Sequence, residues 1–304
     1  MSEYLLETNS LTKMFKSFKA VNNVSMHVEK GAVYGFIGKN GAGTTTFMKM
    51  ICGLSNQTSG SITLFGQSGA ALAEVRRKIG CLIESPGIYP KFTAFDNLKL
   101  KALAMGCYDK NKMNELLELV GLANTGKKRS GEFSLGMRQR LGIAMALIGD
   151  PEMLVLDEPI NGLDPQGIVE VRDTISKLST ERGITILISS HILDELSRIA
   201  THYGIINHGE LIKELSADEL KAECTARLEL TVDDAPKACQ RLAAANIQHK
   251  AISPTHIVIT SNIEYSGEIN RDLVNNGVLV KELTIRGEDL EEYYLELTGG
   301  ASNA

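Results

Sequence analysis

A chain of 304 residues, 43% apolar and 23% charged, has the make-up of a globular protein long enough for about two domains. Its net charge of −5 argues against a broad nucleic-acid-binding surface. No run approaches the roughly 18 apolar residues of a membrane span and the N-terminus shows no signal-peptide core, so any membrane role is expected to run through a partner.

Residues 4–12 and 21–29 alternate loosely and predict two strands flanking a turn, with Phe15 and Phe18 between them. Phe15 reads most simply as a half-buried hydrophobe, yet a purine ring needs such a flat apolar face and a phosphate loop follows. That loop is Gly38-Lys39-Asn40-Gly41-Ala42-Gly43-Thr44-Thr45-Thr46, set between the apolar run Ala32–Ile37 and the helically spaced Phe47–Ile51. A strand, a glycine-rich loop and a helix N-terminus make an anion cradle, because backbone N–H groups converge there and the helix dipole adds positive charge. Gly38, Gly41 and Gly43 are expected to supply the positive φ angles of the wrap. The pattern G-x-x-x-x-G-K-[ST] is met at every fixed position but one: Thr44 stands where the lysine belongs. By itself the stretch also fits an ordinary strand-to-helix turn.

Further on, residues 61–65 predict a strand, and Glu74–Lys78 a charged helix end leading into strand Ile79–Ile83. That strand ends at Glu84, before the loop Ser85-Pro86-Gly87. Residues 94–107 and 111–120 have helical spacing, and Gly131–Arg140 opens a helix through Leu147, with Ser134 as N-cap and Gly136 allowing close backbone approach. Met153–Leu156 predicts a strand buried on both faces that delivers Asp157 and Glu158 at its carboxyl end, where α/β sheets bind ligands. Two adjacent acids there suit metal binding and water activation; a surface pair is the plain alternative. Ile184–Ile188 predicts the neighbouring strand, ending in Ser189-Ser190-His191, and residues 205–212 a hairpin around Asn207-His208-Gly209.

After about residue 220 the order becomes β-α-β-β-α-β-like: strand 227–232, helix 236–245, strands within 247–259, helix 269–275, strand 278–285 and a last amphipathic helix 290–297. This predicts a small α+β domain over 221–304, with no chemistry-bearing cluster, behind a larger domain over 1–220. The five cysteines, Cys52, Cys81, Cys107, Cys224 and Cys239, are scattered without a C-x-x-C pair and read as reduced thiols, mostly core filler.

Taken together, the motifs resemble those of the ATP-binding subunit of an ABC transporter over roughly residues 4–220. They stand in that family's order: the loop at 38–46, the loop after Ile83, the signature Phe133-Ser134-Leu135-Gly136-Met137-Arg138-Gln139, Asp157-Glu158-Pro159, Asn161-Gly162-Leu163-Asp164-Pro165, and His191. The resemblance implies an α/β P-loop cassette with a mostly parallel sheet, an antiparallel β subdomain and a helical subdomain. Within the family, the signature and Leu82–Pro90, with Glu84 where other members have glutamine, look like the bacitracin-resistance and lantibiotic-immunity exporters.

The same resemblance implies the roles. Phe15 would stack on adenine, residues 38–46 would wrap the phosphates, and Thr45 with Asp157 and Glu84 would hold Mg²⁺. Glu158 would be the general base and His191 would organise the attacking water. Ser134, Gly136 and Asp164 would face ATP bound by a second subunit, which demands a homodimer or a dimer with a related chain. The implied setting is the inner face of a cell membrane, held there by an integral permease, with no nucleic acid involved. Thr44 predicts impaired ATP binding and slower hydrolysis, since a neutral hydroxyl on a short stem cannot place a cation against the phosphates; Lys39 is the nearest cation on the loop. An ATP-sensing module that does not hydrolyse, and a ribosome- or DNA-acting ABC protein, are the competing readings.

Overall fold

In this computed structural model the described residues are 4–223, 227–286 and 290–298. The chain divides into two units, Met1–Ala217 and Asp218–Ala304.

The first unit opens with strands β1 (Tyr4–Phe15), β2 (Phe18–Val24) and β3 (His27–Glu29). The predicted second strand is thus split. Thr8 Oγ1 fills the gap, donating to Val24 O at 3.1 Å and accepting from Met26 N at 3.0 Å. The first strand runs on to Phe15, which places that ring on a strand end opposite Phe18 rather than in a turn. Next come β4 (Val33–Ile37), α1 (Thr44–Ile51), β5 (Ser59–Leu64), β6 (Gln67–Ser68), α2 (Leu72–Val75) and β7 (Ile79–Leu82). Helices α3 (Ala94–Ala104), α4 (Lys110–Leu119) and α5 (Leu135–Ala146) follow, each opened by a side-chain cap: Thr93, Asp109 and Ser134. α3 stops short of the predicted 107 because the chain turns through Gly106 at φ +70°.

The remaining elements are β8 (Met153–Asp157), α6 (Pro165–Arg182), β9 (Thr185–Ser190), α7 (Leu193–Ser197), β10 (His202–Asn207) and β11 (Glu210–Ser216). Six strands form one sheet in the order β11-β10-β4-β9-β8-β7, parallel except where β11 turns back on β10. β4, β8 and β9 are buried at every position, as both-face burial in a parallel sheet requires. A second, antiparallel sheet runs β2-β1-β5-β6, with β3 also on β1. α1 lies in the apolar core between the sheets, where Phe47 meets Phe36 at 5.0 Å between ring centres.

The second unit holds α8 (Ala217–Glu223), β12 (Arg227–Val232), α9 (Ala235–Ala244), β13 (His249–Ala251), β14 (His256–Ile259), α10 (Ser266–Asn275), β15 (Val280–Arg286) and α11 (Leu290–Leu297). Its antiparallel sheet has the order β13-β14-β12-β15. Leu228, Leu230, Ile257 and Ile259 alternate onto one face and pack with Ala238, Leu242, Ile269 and Leu273 of α9 and α10. Cys224 lies outside the described residues. Among the described residues, no helix is long and apolar enough to cross a membrane.

Candidate functional site

The phosphate loop leaves the carboxyl end of β4, where Gly41 and Gly43 take φ of +85° and +108°. A Cβ on Gly43 would lie 2.3 Å from the carbonyl oxygen of Ala20, so the position is closed to side chains twice over. Gly38 differs from expectation: its φ is not positive, and its reason is steric, since a Cβ there would lie 2.7 Å from Ile206 on β10. The β10–β11 hairpin also braces the loop, Gly209 N donating to Ala42 O at 2.9 Å.

Unlike α3, α4, α5 and α6, α1 carries no side-chain cap, and its first turn holds no acid. Its opening N–H groups are therefore left for an outside acceptor, and the dipole favours an anion there. Thr44 is the first residue of that helix, half-buried; Lys39 and Asn40 are exposed on the loop and Thr46 is half-buried in the first turn. The residues present fit a phosphate chain on their backbone and lack only the lysine.

Thr45 Oγ1 donates to Asp157 Oδ2 at 2.8 Å. Asp157 is 2% exposed at the end of β8, and its second oxygen accepts from Ser189 Oγ at 2.7 Å. Ser189 Oγ in turn accepts from the backbone N of Glu158 at 2.9 Å. One hydroxyl on β9 thus ties both acids to the neighbouring strand. Sequence reasoning passed over Ser189; the signal was a hydroxyl at the carboxyl end of a strand in register with the acid pair.

Glu158 leaves β8 in left-handed backbone, φ +49°, and its Oε2 lies 2.9 Å from His191 Nδ1. Both side chains are partly open to solvent, so water can reach the pair. A carboxylate oxygen accepts, so Nδ1–H is the donor, which fixes the imidazole and points its other nitrogen away.

Glu84 also sits in left-handed backbone, φ +63°, just past β7. It pairs with Lys49 Nζ at 2.6 Å, a residue the sequence reading left out, one helical turn beyond Thr45 on the same face of α1. Phe15 is 52% exposed with Lys13 Nζ 5.0 Å from its ring centre, free to present a face to a planar ring. Ser134, Gly136 and Asp164 form a separate group. Ser134 caps α5 by accepting from Met137 N, Asp164 caps α6 by accepting from Gly167 N at 3.1 Å, and Gly136 packs beside Gly167 and Leu163. None of these hydrogen bonds reaches the phosphate loop.

The "ABC transporter" family profile matches residues 21–161. The bacitracin transport ATP-binding protein BcrA of Bacillus licheniformis is 42% identical over 301 residues, 98% of each chain. The lantibiotic transport ATP-binding protein SrtF of Streptococcus pyogenes is 44% identical over 214 residues, 70% of this chain and 92% of that one. Among solved structures, a dimeric ATP-binding cassette, MJ0796 bound to ADP and Pi, aligns with 70% of this chain and 98% of its own at a TM-score of 0.62. At 22% identity that likeness speaks for the fold.

Proposed function

We propose a function from one premise: the chain belongs to the ABC transporter family, as an ATP-hydrolysing, ATP-binding subunit. Within that family it powers a permease that exports a peptide antibiotic of the bacitracin or lantibiotic kind, as the names of its relatives indicate for them. The observation that carries the mechanism is the hydroxyl-bridged acid pair, with Asp157 held by Thr45 and Ser189 and Glu158 held by Ser189 and His191.

In this reading the N–H groups of residues 38–46 cradle the phosphates of ATP and Phe15 covers the adenine. Thr45 and Asp157, already hydrogen-bonded to each other, would hold Mg²⁺, with Glu84 at the end of the adjoining strand as the third residue proposed for it. Among the described residues no cluster of three His, Cys, Asp or Glu is placed to hold an ion, so the ion would be held jointly with the bound nucleotide. When bound, the ion neutralises charge on the β- and γ-phosphates. Glu158 takes the proton of the water that attacks the γ-phosphorus as the bond to the β-phosphate oxygen breaks, while His191 keeps that carboxylate aimed. Ser134, Gly136 and Asp164 serve ATP bound by a second subunit across a dimer seam, because one chain carries one copy of each group. The permease then holds the dimer at the inner face of the membrane.

Thr44 also favours a second reading, a subunit that senses ATP without turning it over. Mg·ATP binding and steady-state hydrolysis of the native chain beside Thr44→Lys separates the two. A charge-assisted hydrogen bond contributes about 1.5–3 kcal/mol, so the lysine is expected to tighten ATP roughly 10- to 150-fold and to raise turnover. Tighter binding with no turnover in either chain would establish the sensor reading. Equal binding and equal turnover would refute the account of position 44, and no ATP binding by either chain would refute the site.

A further inference from the structure

With Thr44 where the motif has lysine, the phosphate cradle keeps its backbone donors and its helix dipole but not its usual cation. Three acids gather at the carboxyl ends of β7 and β8: Asp157 ends β8, and Glu84 and Glu158 each stand two residues past the register pair Leu82–Leu156. Their side-chain partners are Thr45 and Ser189 for Asp157, His191 for Glu158 and Lys49 for Glu84. Among these partners Lys49 alone carries a permanent positive charge. It stands on α1 four residues after Thr45, so the two share a face, about 6 Å apart along the axis. Side chains on a helix lean back toward its N-terminus, which on α1 is the uncapped end. Lys49 Nζ lies 2.6 Å from Glu84 Oε1, in a pair whose side chains are 35% and 64% exposed. An ion pair that open to water is held weakly and is readily exchanged for another. The plain alternative is a lysine in the last turn of α1 that offsets the helix dipole and does nothing more.

We propose that Lys49 supplies part of the positive charge that Thr44 does not: on nucleotide binding its ammonium leaves Glu84 for the phosphate oxygens, and Glu84 is released for the ion. The proposal rests on the ATP-binding reading of this site. Without nucleotide, ammonium and carboxylate neutralise each other, as they do here. With nucleotide, each takes a partner of opposite charge from the ligand, so neither charge is left unpaired in either state. An ionised carboxylate only accepts and an ammonium only donates, so the exchange needs no change of protonation. Lys49 comes from the side of α1 and not from the head of the loop, so it restores charge without restoring the geometry of a lysine at 44. The compensation is therefore partial, and Thr44→Lys still gains affinity.

The test is equilibrium binding of ATP by the purified full chain, once with Mg²⁺ and once with EDTA in its place. This reads the phosphate contact apart from the metal and apart from turnover. Lys49→Gln is expected to weaken ATP roughly 10-fold in both media, the size of one charge-assisted contact, and Lys49→Arg to restore most of the loss. Glu84→Gln is expected to tighten ATP in EDTA, because it releases the ammonium, and adding Lys49→Gln should cancel that gain. In the Thr44→Lys chain Lys49→Gln should cost much less, since both lysines then serve the same phosphates. Both side chains are open to solvent, so the variants are expected to fold, and melting curves check that they do. Unchanged affinity in native-background Lys49→Gln overturns the proposal and leaves the site standing. So does a loss seen with Mg²⁺ but not in EDTA, which would confine Lys49 to holding Glu84, and so does binding by the Thr44→Lys chain alone. If neither the native nor the Thr44→Lys chain binds ATP, the site reading itself falls and takes the proposal with it.

Discussion

Removing the Ser189 hydroxyl tests whether one side chain organises the acid pair. Ser189 is fully buried; Ser189→Ala leaves a cavity of a single oxygen and strands two groups at once. Asp157 Oδ1 loses its donor at 2.7 Å in a site 2% exposed, and Glu158 N loses its acceptor at 2.9 Å. A bond to a charged buried group contributes about 1.5–3 kcal/mol and a stranded buried N–H costs about 1–3, so with partial relaxation the loss is expected at about 2–4 kcal/mol. For a unit of this size that lowers Tm by on the order of 5–12 °C. Ser190→Ala is the internal control, since Ser190 is as buried but accepts one bond, from Ile192 N at 2.9 Å, and is expected to cost about 1 kcal/mol. Thermal and urea unfolding read the stabilities, and ATP turnover should fall more than ATP affinity, because the Glu158 backbone loses a restraint. If Ser189→Ala unfolds like Ser190→Ala and keeps the native ratio of turnover to binding, the bridge does not organise the pair.

Glu158→Gln should keep ATP binding and lower hydrolysis by about 10²–10⁴-fold, measured in both the native and the Thr44→Lys chain; unchanged turnover would remove Glu158 as the base. Gly43→Ala forces a Cβ to within 2.3 Å of Ala20 O at φ +108° and is expected to cost about 2 kcal/mol or more together with nucleotide affinity, read by melting and by ATP titration. In the second unit Arg241 clasps Asp272 through bonds of 2.7 Å to each carboxylate oxygen and holds its carboxyl below the usual range. A depressed carboxyl contributes stability above its unfolded value, about 3.9, that disappears as pH falls through the folded one. Arg241→Leu is therefore expected to melt lower than the native chain at neutral pH and to converge with it in acid; a gap that persists in acid would place the effect in packing instead.

What the sequence made legible was local. The apolar run before Gly38, the helical spacing after Thr46 and the acids after Leu156 each announce themselves within a dozen residues, and β4, α1 and β8 stand where those signals put them. The misses are of two kinds. α6 had its signals, an Asp164-Pro165 start and a left-handed Gly183 end, but its polar middle, with few buried positions in 18 residues, shows little apolar stripe. The others are contacts between distant segments: Ile206 forcing glycine at 38, Ser189 reaching the acids through strand register, and Lys49 finding Glu84. Pairing of that sort is decided by sheet order, which no single stretch encodes.

Glu84 and Glu158 both leave their strands through left-handed backbone, a conformation that costs a side chain with a Cβ about 1–2 kcal/mol and glycine little. Heat resistance and work therefore pull these two positions in opposite directions. A library randomised at 84 and 158 and screened on melting temperature alone should drift to glycine and asparagine. Screened for drug resistance in cells, the same library should return to the acids, each time accepting a less stable protein. Thermostabilised versions of this subunit obtained blindly would then be poor motors, and their substitutions would point back to the residues the chemistry uses.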